Sequence, residues 1–475
     1  MQKGVVDFIT LGCSKNLVDA ERVMRQLEAA GWRCVHDPEE PKGEVCVINT
    51  CGFIGDAKEE SINMILQMAE RKKKGKLRKL IVMGCLSERY RAELEAELPE
   101  VDKYYGKFDF LKIVESLKLN VERSSRVESC KYYERKLTTP KHYAYLKISE
   151  GCNRMCSYCA IPLITGRHTS RPMEEILDEV RWLVKQGVKE INVIAQDLSS
   201  YGLDLKPPPP ALPTREGDSQ TASKRHLLPE LVDRMAQIEG VEWIRLHYAY
   251  PTDFPEGLLD VMAKHKNVCK YLDIALQHCT DHMLGLMRRH ITRAEQDALI
   301  HKIRERVPGI CIRTTLLVGH PGETEEDFEE LKTWVKEMRF ERMGCFAYSD
   351  EEGTYANKHY KDDIPQEVKE RRVEELMAIQ QGISGELMQR LVGTVQRVVI
   401  DREEGEYLIG RTQFDSPEVD CEVLIEKLRV LSPREARLFE SLELKEVEEL
   451  KVGEFYNVEI TKAEEFDLYG EVVGR

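Results

Sequence analysis

The 475-residue sequence predicts an α/β protein in three parts. These are an N-terminal domain with an open parallel sheet, a central partial (β/α) barrel, and a small C-terminal antiparallel β-barrel. Strand-like and helix-like segments alternate through the first two parts, which is typical of parallel sheets covered by helices. The last part instead has short, closely spaced strand-like segments, which favour a small barrel. The predicted boundaries are 3–120, 138–375 and 378–475.

The N-terminal part contains three apolar strand-like runs separated by two segments with helical spacing. The strands are predicted at 5–11, 45–49 and 80–83, and the helices at 17–30 and 57–71. Gly31 follows the first helix, where a glycine commonly ends a helix. This order predicts parallel strands whose carboxyl ends lie along one edge of the sheet.

The central part contains six strand-helix units. Its strands are predicted at 143–148, 191–195, 243–248, 272–276, 310–318 and 343–348. Six such units predict a partial barrel, whose functional groups should lie at the carboxyl ends of the strands. A proline-rich stretch at 206–224 interrupts the pattern and is predicted to be an exposed loop insertion.

The C-terminal part is predicted to have strands at 395–400, 407–410, 422–425 and 456–461. From Gly393 onward it carries 11 Lys and Arg against 21 Asp and Glu, a net charge of −10. Most of the net charge of the chain, −14, therefore lies in this part. It is either an ordinary solvated acidic surface or a docking surface for a basic partner.

Overall composition limits the class of protein. Hydrophobic residues make up 42% and charged residues 32%, as in ordinary globular proteins. No run of about 20 apolar residues predicts a membrane span, and the N-terminus lacks a signal-peptide pattern. The 14 cysteines then indicate metal binding or catalysis in the cytoplasm rather than disulfides. The negative charge argues against a generic nucleic-acid-binding protein.

Three cysteines, Cys152, Cys156 and Cys159, have the spacing C-x3-C-x2-C. Their thiolates can bind three irons of a 4Fe-4S cluster, which leaves the fourth iron free to bind a small molecule. A structural zinc site would usually need a fourth ligand, and a ferredoxin run has a different spacing. Three inert buried cysteines within eight residues would be unusual. The spacing favours a cluster, with zinc as the main alternative.

Each predicted strand of the N-terminal part is followed directly by a cysteine. These are Cys13, Cys51 and Cys85, which are 38 and 34 residues apart in sequence. Because the carboxyl ends of parallel strands share one edge, the three thiols are expected to converge there. They predict a second cluster that also has an open iron. The alternative is three unrelated buried cysteines.

Several motifs resemble the radical S-adenosylmethionine (SAM) methylthiotransferase family, in its protein-modifying branch. The resemblance covers nearly the whole chain, with an N-terminal methylthiotransferase domain, a radical SAM domain and a TRAM domain in order. The related tRNA-modifying branch usually has Gln-Met-Asn in place of residues 14–16. The matching segments are 11–19, 145–152, 159–162, 313–315, 322–324, 351–354, 410–412 and 415–420. The departures are the insertion, extra helix-like sequence at 432–449, Cys279 and His320.

The resemblance implies an enzyme that adds a methylthio group to the β-carbon of an aspartate in small-subunit ribosomal protein S-twelve. It implies two 4Fe-4S clusters and SAM as cofactors. The cluster on Cys152, Cys156 and Cys159 would reduce and cleave SAM, and the auxiliary cluster on the other three cysteines would carry the sulfur. A low-potential electron donor and a sulfur donor are further implied partners.

Three polar residues are candidates for binding SAM. Gln196 and Asp197 follow a predicted barrel strand and are placed to contact the ammonium of its methionine part. Arg313 is a candidate for its carboxylate or ribose. Each of the three also suits a structural hydrogen-bonding role.

Two other functions remain as alternatives. A tRNA (isopentenyl-adenosine) methylthiotransferase would share the clusters, but it should have a basic surface for phosphates where this chain is acidic. A non-catalytic iron–sulfur carrier would not need a barrel large enough for SAM or two open irons. The sequence therefore favours the basic protein S-twelve over tRNA as the substrate.

Overall fold

The computed structural model describes residues 1–107, 109–117, 131, 133–205, 226–427 and 450–474. The predicted loop insertion at 206–224 and the helix-like sequence at 432–449 lie outside the described residues. Within the described part, no helix is both long and apolar enough to cross a membrane.

The N-terminal domain is a parallel sheet with strand order β2-β1-β3-β4-β5. The three predicted strands form its centre, and two short edge strands were not predicted. The strands are β1 Gln2–Thr10, β2 Arg33–His36, β3 Gly43–Thr50, β4 Lys79–Gly84 and β5 Lys103–Tyr104. The helices are α1 Ser14–Ala29, α2 Gly55–Lys73, α3 Cys85–Arg89, α4 Arg91–Glu97 and α5 Phe110–Leu117. Apolar side chains cover both faces of the sheet, so each face forms its own core.

The central domain is a six-stranded parallel sheet with strand order β13-β12-β11-β10-β9-β6. Its strands are β6 Tyr143–Lys147, β9 Glu190–Ile194, β10 Trp243–Ala249, β11 Val268–Ile274, β12 Cys311–Val318 and β13 Arg342–Ala347. A short antiparallel ribbon of β7 Ser149–Glu150 and β8 Thr169–Ser170 follows β6. The strand predicted at 272–276 instead begins at Val268. Lys270 interrupts the apolar run there, so the sequence did not indicate that the strand begins before residue 272.

The helices of the central domain pack around this sheet and bury a large apolar core. They are α6 Ile161–Thr165, α7 Met173–Lys185, α8 Leu228–Ala236, α9 Gly257–Lys264, α10 Asp281–Leu286, α11 Arg293–Arg306, α12 Glu325–Met338, α13 Tyr355–His359 and α14 Gln366–Gln389. The last helix continues across residues 375–378, where the sequence predicted a domain boundary.

The C-terminal domain is a closed barrel with strand order β14-β15-β16-β18-β17. Its strands are β14 Val395–Glu404, β15 Tyr407–Thr412, β16 Glu422–Glu426, β17 Phe455–Ala463 and β18 Asp467–Gly474. Four of the five strand pairs are antiparallel as predicted, but β16 and β18 are parallel. The unpredicted β18 closes the barrel, and closure removes the exposed strand edges.

The C-terminal barrel packs against the amino ends of the central strands. Glu190 at the start of β9 forms an ion pair with Arg411 at 2.8 Å, and Arg342 at the start of β13 forms one with Asp415 at 2.6 Å. Trp243 of β10 packs edge-to-face on Phe455. The carboxyl ends of the central strands therefore remain open on the side that faces the N-terminal domain.

Candidate active site

The C-x3-C-x2-C loop connects β7 to α6 beyond the carboxyl end of β6. Gly151 has φ +78°, and a Cβ there would lie 2.2 Å from the carbonyl oxygen of Arg167, so only glycine fits this turn. Ser157, inside the loop, donates its N–H to the carbonyl oxygen of Met287 at 3.0 Å. Its Oγ lies 2.9 Å from Nε2 of His320. The loop is therefore anchored to the barrel before any ligand binds.

Cys156 is buried against two polar side chains. Arg289 Nη1 lies 3.4 Å from Cys156 Sγ, and the Tyr250 hydroxyl lies 3.5 Å from the same sulfur. The guanidiniums of Arg154 and Arg289 lie 4.3 Å and 4.0 Å from the centre of the Tyr250 ring. These donors and positive charges suit a sulfur that carries negative charge, as a metal-bound thiolate does.

Burial raises the pKa of Cys152 to about 12. It also raises the pKa of Cys159 above its ordinary value. Both thiols are therefore protonated near neutral pH in the absence of a metal, and metal binding would release their protons. Across the described residues, no three Cys, His, Asp or Glu side chains are arranged to bind a single metal ion.

Cys13, Cys51 and Cys85 lie together at the carboxyl edge of the N-terminal sheet, as predicted from their positions after β1, β3 and β4. A Cβ on Gly12 would lie 3.1 Å from Cys51 Sγ, so the loop that carries Cys13 packs closely against Cys51. Asn16 contacts the same group of residues. Its Oδ1 lies 3.6 Å from Cys85 Sγ, and its Nδ2 donates a hydrogen bond to the carbonyl oxygen of Thr50.

Two ammonium groups affect the electrostatics of this second set. Desolvation raises the pKa of the Cys13 thiol, but the charges of Lys15 and Lys107 and the backbone N–H groups of residues 15 and 16 together lower it by more, so the net shift of the pKa is downward. Burial raises the pKa of Cys85 to about 12. A positively charged surrounding of this kind favours the thiolate at Cys13 and suits metal binding.

The two cysteine sets face each other across the junction of the two domains. Cys85 packs in one apolar cluster with Ala160, which follows Cys159, and with Ile164. Lys107 of the N-terminal domain forms an ion pair at 2.9 Å with Glu150, two residues before Cys152. The sequence predicted each set separately, and the fold brings them to one site.

A cavity of about 680 Å³ opens at the same junction. Its lining includes Tyr158, next to Cys159, and Phe53, two residues after Cys51. The carboxyl ends of β12 and β13 form the opposite wall, and Glu351 accepts hydrogen bonds there from Lys58 and Arg89 at 2.8 Å each. The volume is within the range of small-molecule binding pockets. The cavity therefore lies beside both cysteine loops.

Comparisons with known proteins agree with this architecture. Residues 5–106 match the uncharacterized protein family UPF0004, residues 146–335 match the radical SAM superfamily, and residues 392–473 match the TRAM domain. A protein of Bacteroides thetaiotaomicron named ribosomal protein uS12 methylthiotransferase RimO is 58% identical over 100% of both chains. A protein of Porphyromonas gingivalis with the same name is 54% identical, also over 100% of both chains.

The chain belongs to the RimO family of radical SAM methylthiotransferases.

A solved structure shows the same fold at low sequence identity. The radical S-adenosylmethionine methyltransferase TsrM from Kitasatospora setae has a TM-score of 0.51 and 14% identity, and the match covers 73% of this chain and 75% of that one. This likeness supports the architecture of the RimO-family chain and nothing about its substrate.

Gln196 and Asp197, the candidate SAM ligands of this RimO-family chain, follow the carboxyl end of β9. Gln196 Nε2 donates to Glu150, and Asp197 Oδ2 accepts from Arg154 Nε at 2.7 Å. Gln196 Oε1 and Asp197 Oδ1 are buried, and neither has a hydrogen-bond partner within the described structure. Buried polar atoms without partners are uncommon and are typical of a site that binds a polar ligand. A contact between these two residues and SAM stays a prediction.

Arg313 lies elsewhere on the barrel. It is near the amino end of β12, where it forms ion pairs with Asp273 at 3.4 Å and with Asp420 of the C-terminal barrel at 3.3 Å. The fold does not bring it together with Gln196 and Asp197. A contact between Arg313 and SAM stays a prediction.

Sequence reasoning missed four residues of this RimO-family site: Lys15, Lys107, Tyr250 and Arg289. Lys107 and Arg289 lie outside any recognisable motif, so no local pattern indicated their roles. Tyr250 follows a predicted strand at the functional end of the barrel, and Lys15 is the second residue of α1, two residues after Cys13. Their positions could have marked these two as candidates.

Proposed function

We propose that this RimO-family chain is a radical SAM methylthiotransferase that adds a methylthio group to the β-carbon of an aspartate in ribosomal protein uS12, the S-twelve protein named above. The observation that carries the proposal is the full-length identity of 54–58% to relatives that bear this name. The adjacency of the two cysteine sets supports it, because the reaction needs a radical and a sulfur at one place.

Two 4Fe-4S clusters fit the cysteines. Cys152, Cys156 and Cys159 would hold the radical SAM cluster, and Cys13, Cys51 and Cys85 the auxiliary cluster. When bound, these groups and SAM supply the one-electron chemistry that an unactivated C–H bond requires. Each set offers three thiols on loops whose glycines allow close approach, and three cysteine ligands would leave one iron of each cluster open to another ligand.

The chain's own residues would bind and orient the reactants. Gln196 and Asp197 would accept hydrogen bonds from the ammonium of SAM through their unpaired oxygens. The cavity beside Tyr158 would hold the remainder of the molecule. The contacts of Glu351 with Lys58 and Arg89 join the N-terminal domain to the barrel beside this cavity.

The acidic C-terminal barrel would attract the basic substrate protein. Glu459 of β17 and Glu471 of β18 are exposed and lie directly opposite each other across the strand pair. Such like-charged pairs add to a negative surface potential that speeds encounter with a basic protein. The same potential would repel tRNA phosphates, so tRNA is disfavoured as the substrate. An electron donor and a sulfur donor would complete the set of partners, and the 14 cysteines support a location in the reducing cytoplasm.

The test is anaerobic methylthiolation in vitro. The protein is reconstituted with iron and sulfide, given SAM and a reductant, and offered uS12 and unmodified tRNA in separate reactions. Mass spectrometry then looks for a methylthio group in place of hydrogen. We expect it on one aspartate of uS12 and not on tRNA. Modification of tRNA alone would transfer the chain to the tRNA branch.

A pair of cysteine variants tests whether the protein is an enzyme or a non-catalytic iron–sulfur carrier. The triple variant Cys152→Ala, Cys156→Ala, Cys159→Ala should cleave no SAM and modify no uS12, whereas Cys34→Ala, at a buried thiol of the N-terminal core, should do both. Absence of SAM cleavage by the reduced, iron-loaded wild-type protein would support the non-catalytic carrier instead.

A further inference from the structure

Lys15 carries a nearly buried ammonium group beside the auxiliary cysteine set. The residue is only 8% exposed. Within the described parts of the chain, no carboxylate lies within ion-pair distance of its Nζ. Its one close polar contact is with an aromatic ring, because Nζ lies 3.3 Å from the centre of the Tyr248 ring. A cation–π contact replaces only part of the hydration that a buried ammonium loses.

Three other cations at this junction form ion pairs, whereas the buried guanidinium of Arg289, which has no ion pair among the described residues, donates to Cys156 Sγ at 3.4 Å. Lys147 forms an ion pair with Asp19, Lys107 pairs with Glu150 at 2.9 Å, and Arg154 pairs with Asp197 at 2.7 Å. Lys15 differs from all three. A buried charge is costly unless it is paired, so the missing anion is expected to come from a ligand.

Lys15 lies between the two cysteine sets. It is two residues after Cys13, at the start of α1, where the helix N-terminus also favours anions. Tyr248 is near the carboxyl end of β10, and Tyr250, two residues later, contacts Cys156. The Tyr248 side chain is partly exposed, at 37%, so the contact is at the edge of an accessible space.

Tyr248 is held in an uncommon backbone conformation. Its φ is +66°, in the left-handed region that bulky residues rarely adopt. Its N–H donates to Asp273 Oδ2 at 3.2 Å, which fixes the turn. Strained residues of this kind concentrate at ligand-binding positions. The ring is therefore fixed where it supports the Lys15 ammonium.

We propose that Lys15 binds the side-chain carboxylate of the acceptor aspartate. This inference rests on the proposed function, because it names the group that recognises the substrate of that reaction. The β-carbon of an aspartate is bonded directly to its carboxylate carbon. An ammonium that fixes the carboxylate therefore also places the β-carbon between the two cysteine sets. A neutral acceptor would leave the buried ammonium unpaired and would be rejected.

The test compares two variants with wild type. Lys15→Met removes the charge and keeps the length of the side chain, and Lys15→Arg keeps the charge. Lys185→Met, at an exposed position of α7, is the matched control. The substrates are uS12 and a uS12 variant with asparagine at the modified aspartate, the latter measured as an inhibitor. Iron content and SAM cleavage are measured for every protein.

We expect wild type to bind the aspartate form about 10- to 100-fold more tightly than the asparagine form, as for loss of a charge-assisted hydrogen bond. Lys15→Met should lose this preference through a higher KM, and Lys15→Arg, which keeps the charge beside Cys13, separates this loss from any loss of iron. Lys15→Arg should retain part of the preference, and Lys185→Met all of it.

Two results would overturn the inference and leave the proposed function intact. One is an unchanged preference for aspartate in Lys15→Met. The other is a loss of preference in Lys15→Met that occurs only together with loss of iron, which would mean that Lys15 neutralises the auxiliary cluster. Failure of the wild-type protein to modify uS12 would instead overturn the proposed function, and this inference with it.

Discussion

The ammonium of Lys107 lies 2.9 Å from the carboxylate of Glu150, and this ion pair joins the two cysteine-bearing domains. Lys107 follows β5 of the N-terminal sheet, and Glu150 lies in β7, directly before the C-x3-C-x2-C loop. Glu150 also accepts from Lys147 at 2.8 Å, and Lys147 in turn forms an ion pair with Asp19 of α1. The N-terminal and central domains are therefore joined by two ion pairs, Lys107 with Glu150 and Asp19 with Lys147. These pairs hold the two cysteine sets close to each other.

Replacing Glu150 by glutamine should weaken this junction. The change leaves Lys107 and Lys147 close together with only Asp19 to neutralise them, and removing one partner of a buried ion pair typically costs about 3–5 kcal/mol. Thermal unfolding of the metal-free protein should therefore begin at a lower temperature. Glu93→Gln, at an exposed position of α4, is the control and should unfold like wild type. Equal unfolding of both variants would mean that the pair is not needed to dock the domains.

The iron content of cysteine variants should show that the two cysteine sets bind their clusters independently of each other. Alanine at Cys13, Cys51 and Cys85 should remove about half of the iron, because the thiols of the other set lie on a separate loop. This variant should still cleave SAM but should not methylthiolate uS12. Iron analysis, absorption spectra and assays of SAM cleavage check both statements. Complete loss of iron would show that the two sites fold as one unit.

Arg289 should raise the reduction potential of the cluster that Cys156 helps to bind. Its guanidinium is buried and donates to Cys156 Sγ at 3.4 Å, and a donated hydrogen bond with a positive charge stabilises the reduced, more negative state. Arg289→Met should lower the potential, and Arg289→Lys should lower it less.

Redox titration followed by electron paramagnetic resonance measures this effect. Arg390→Met is the control, because Arg390 is exposed at the end of α14, on the side of the C-terminal barrel. If Arg289→Met keeps its iron and the reduction potential of the cluster does not change, Arg289 has only a packing role against the Tyr250 ring.

The parts of this site that depend on local sequence could be predicted. The spacing of Cys152, Cys156 and Cys159 is visible over eight residues. The strand-end positions of the other three cysteines follow from apolar runs directly before them. Parallel topology then brings those three together, because the carboxyl ends of such strands share an edge.

The parts that depend on tertiary contacts could not be predicted. Arg289 and Cys156 are 133 residues apart in sequence, and no pattern around either residue indicates the contact. The edge strand β5 has only two residues, and acidic side chains interrupt the apolar pattern of β18. The ion pairs of Arg313 with Asp273 and Asp420 likewise join residues that are far apart in sequence.

The docking of the C-terminal barrel should be sensitive to acid through Glu190. This carboxylate is fully buried between Arg245 at 2.9 Å and Arg411 at 2.8 Å. Burial raises its pKa, but the two guanidiniums lower it by more, so the net shift is downward. Asp401, which also faces Arg411 together with His142, has a lowered pKa for the same reason.

A carboxyl group whose pKa is lower in the folded state than in the unfolded state stabilises the folded protein when it is ionised. The unfolded pKa of glutamate is about 4.3. The stabilisation is complete above this pH and is lost as the pH falls below it. Wild type should therefore lose thermal stability steeply from about pH 5 downward. Glu190→Gln should be less stable at neutral pH, by about 3–5 kcal/mol for a broken buried ion pair, and its stability should depend less on pH. Calorimetry over this range, with exposed Glu459→Gln as the control, measures both effects. Parallel pH profiles for Glu190→Gln and wild type would assign the acid sensitivity to other carboxylates.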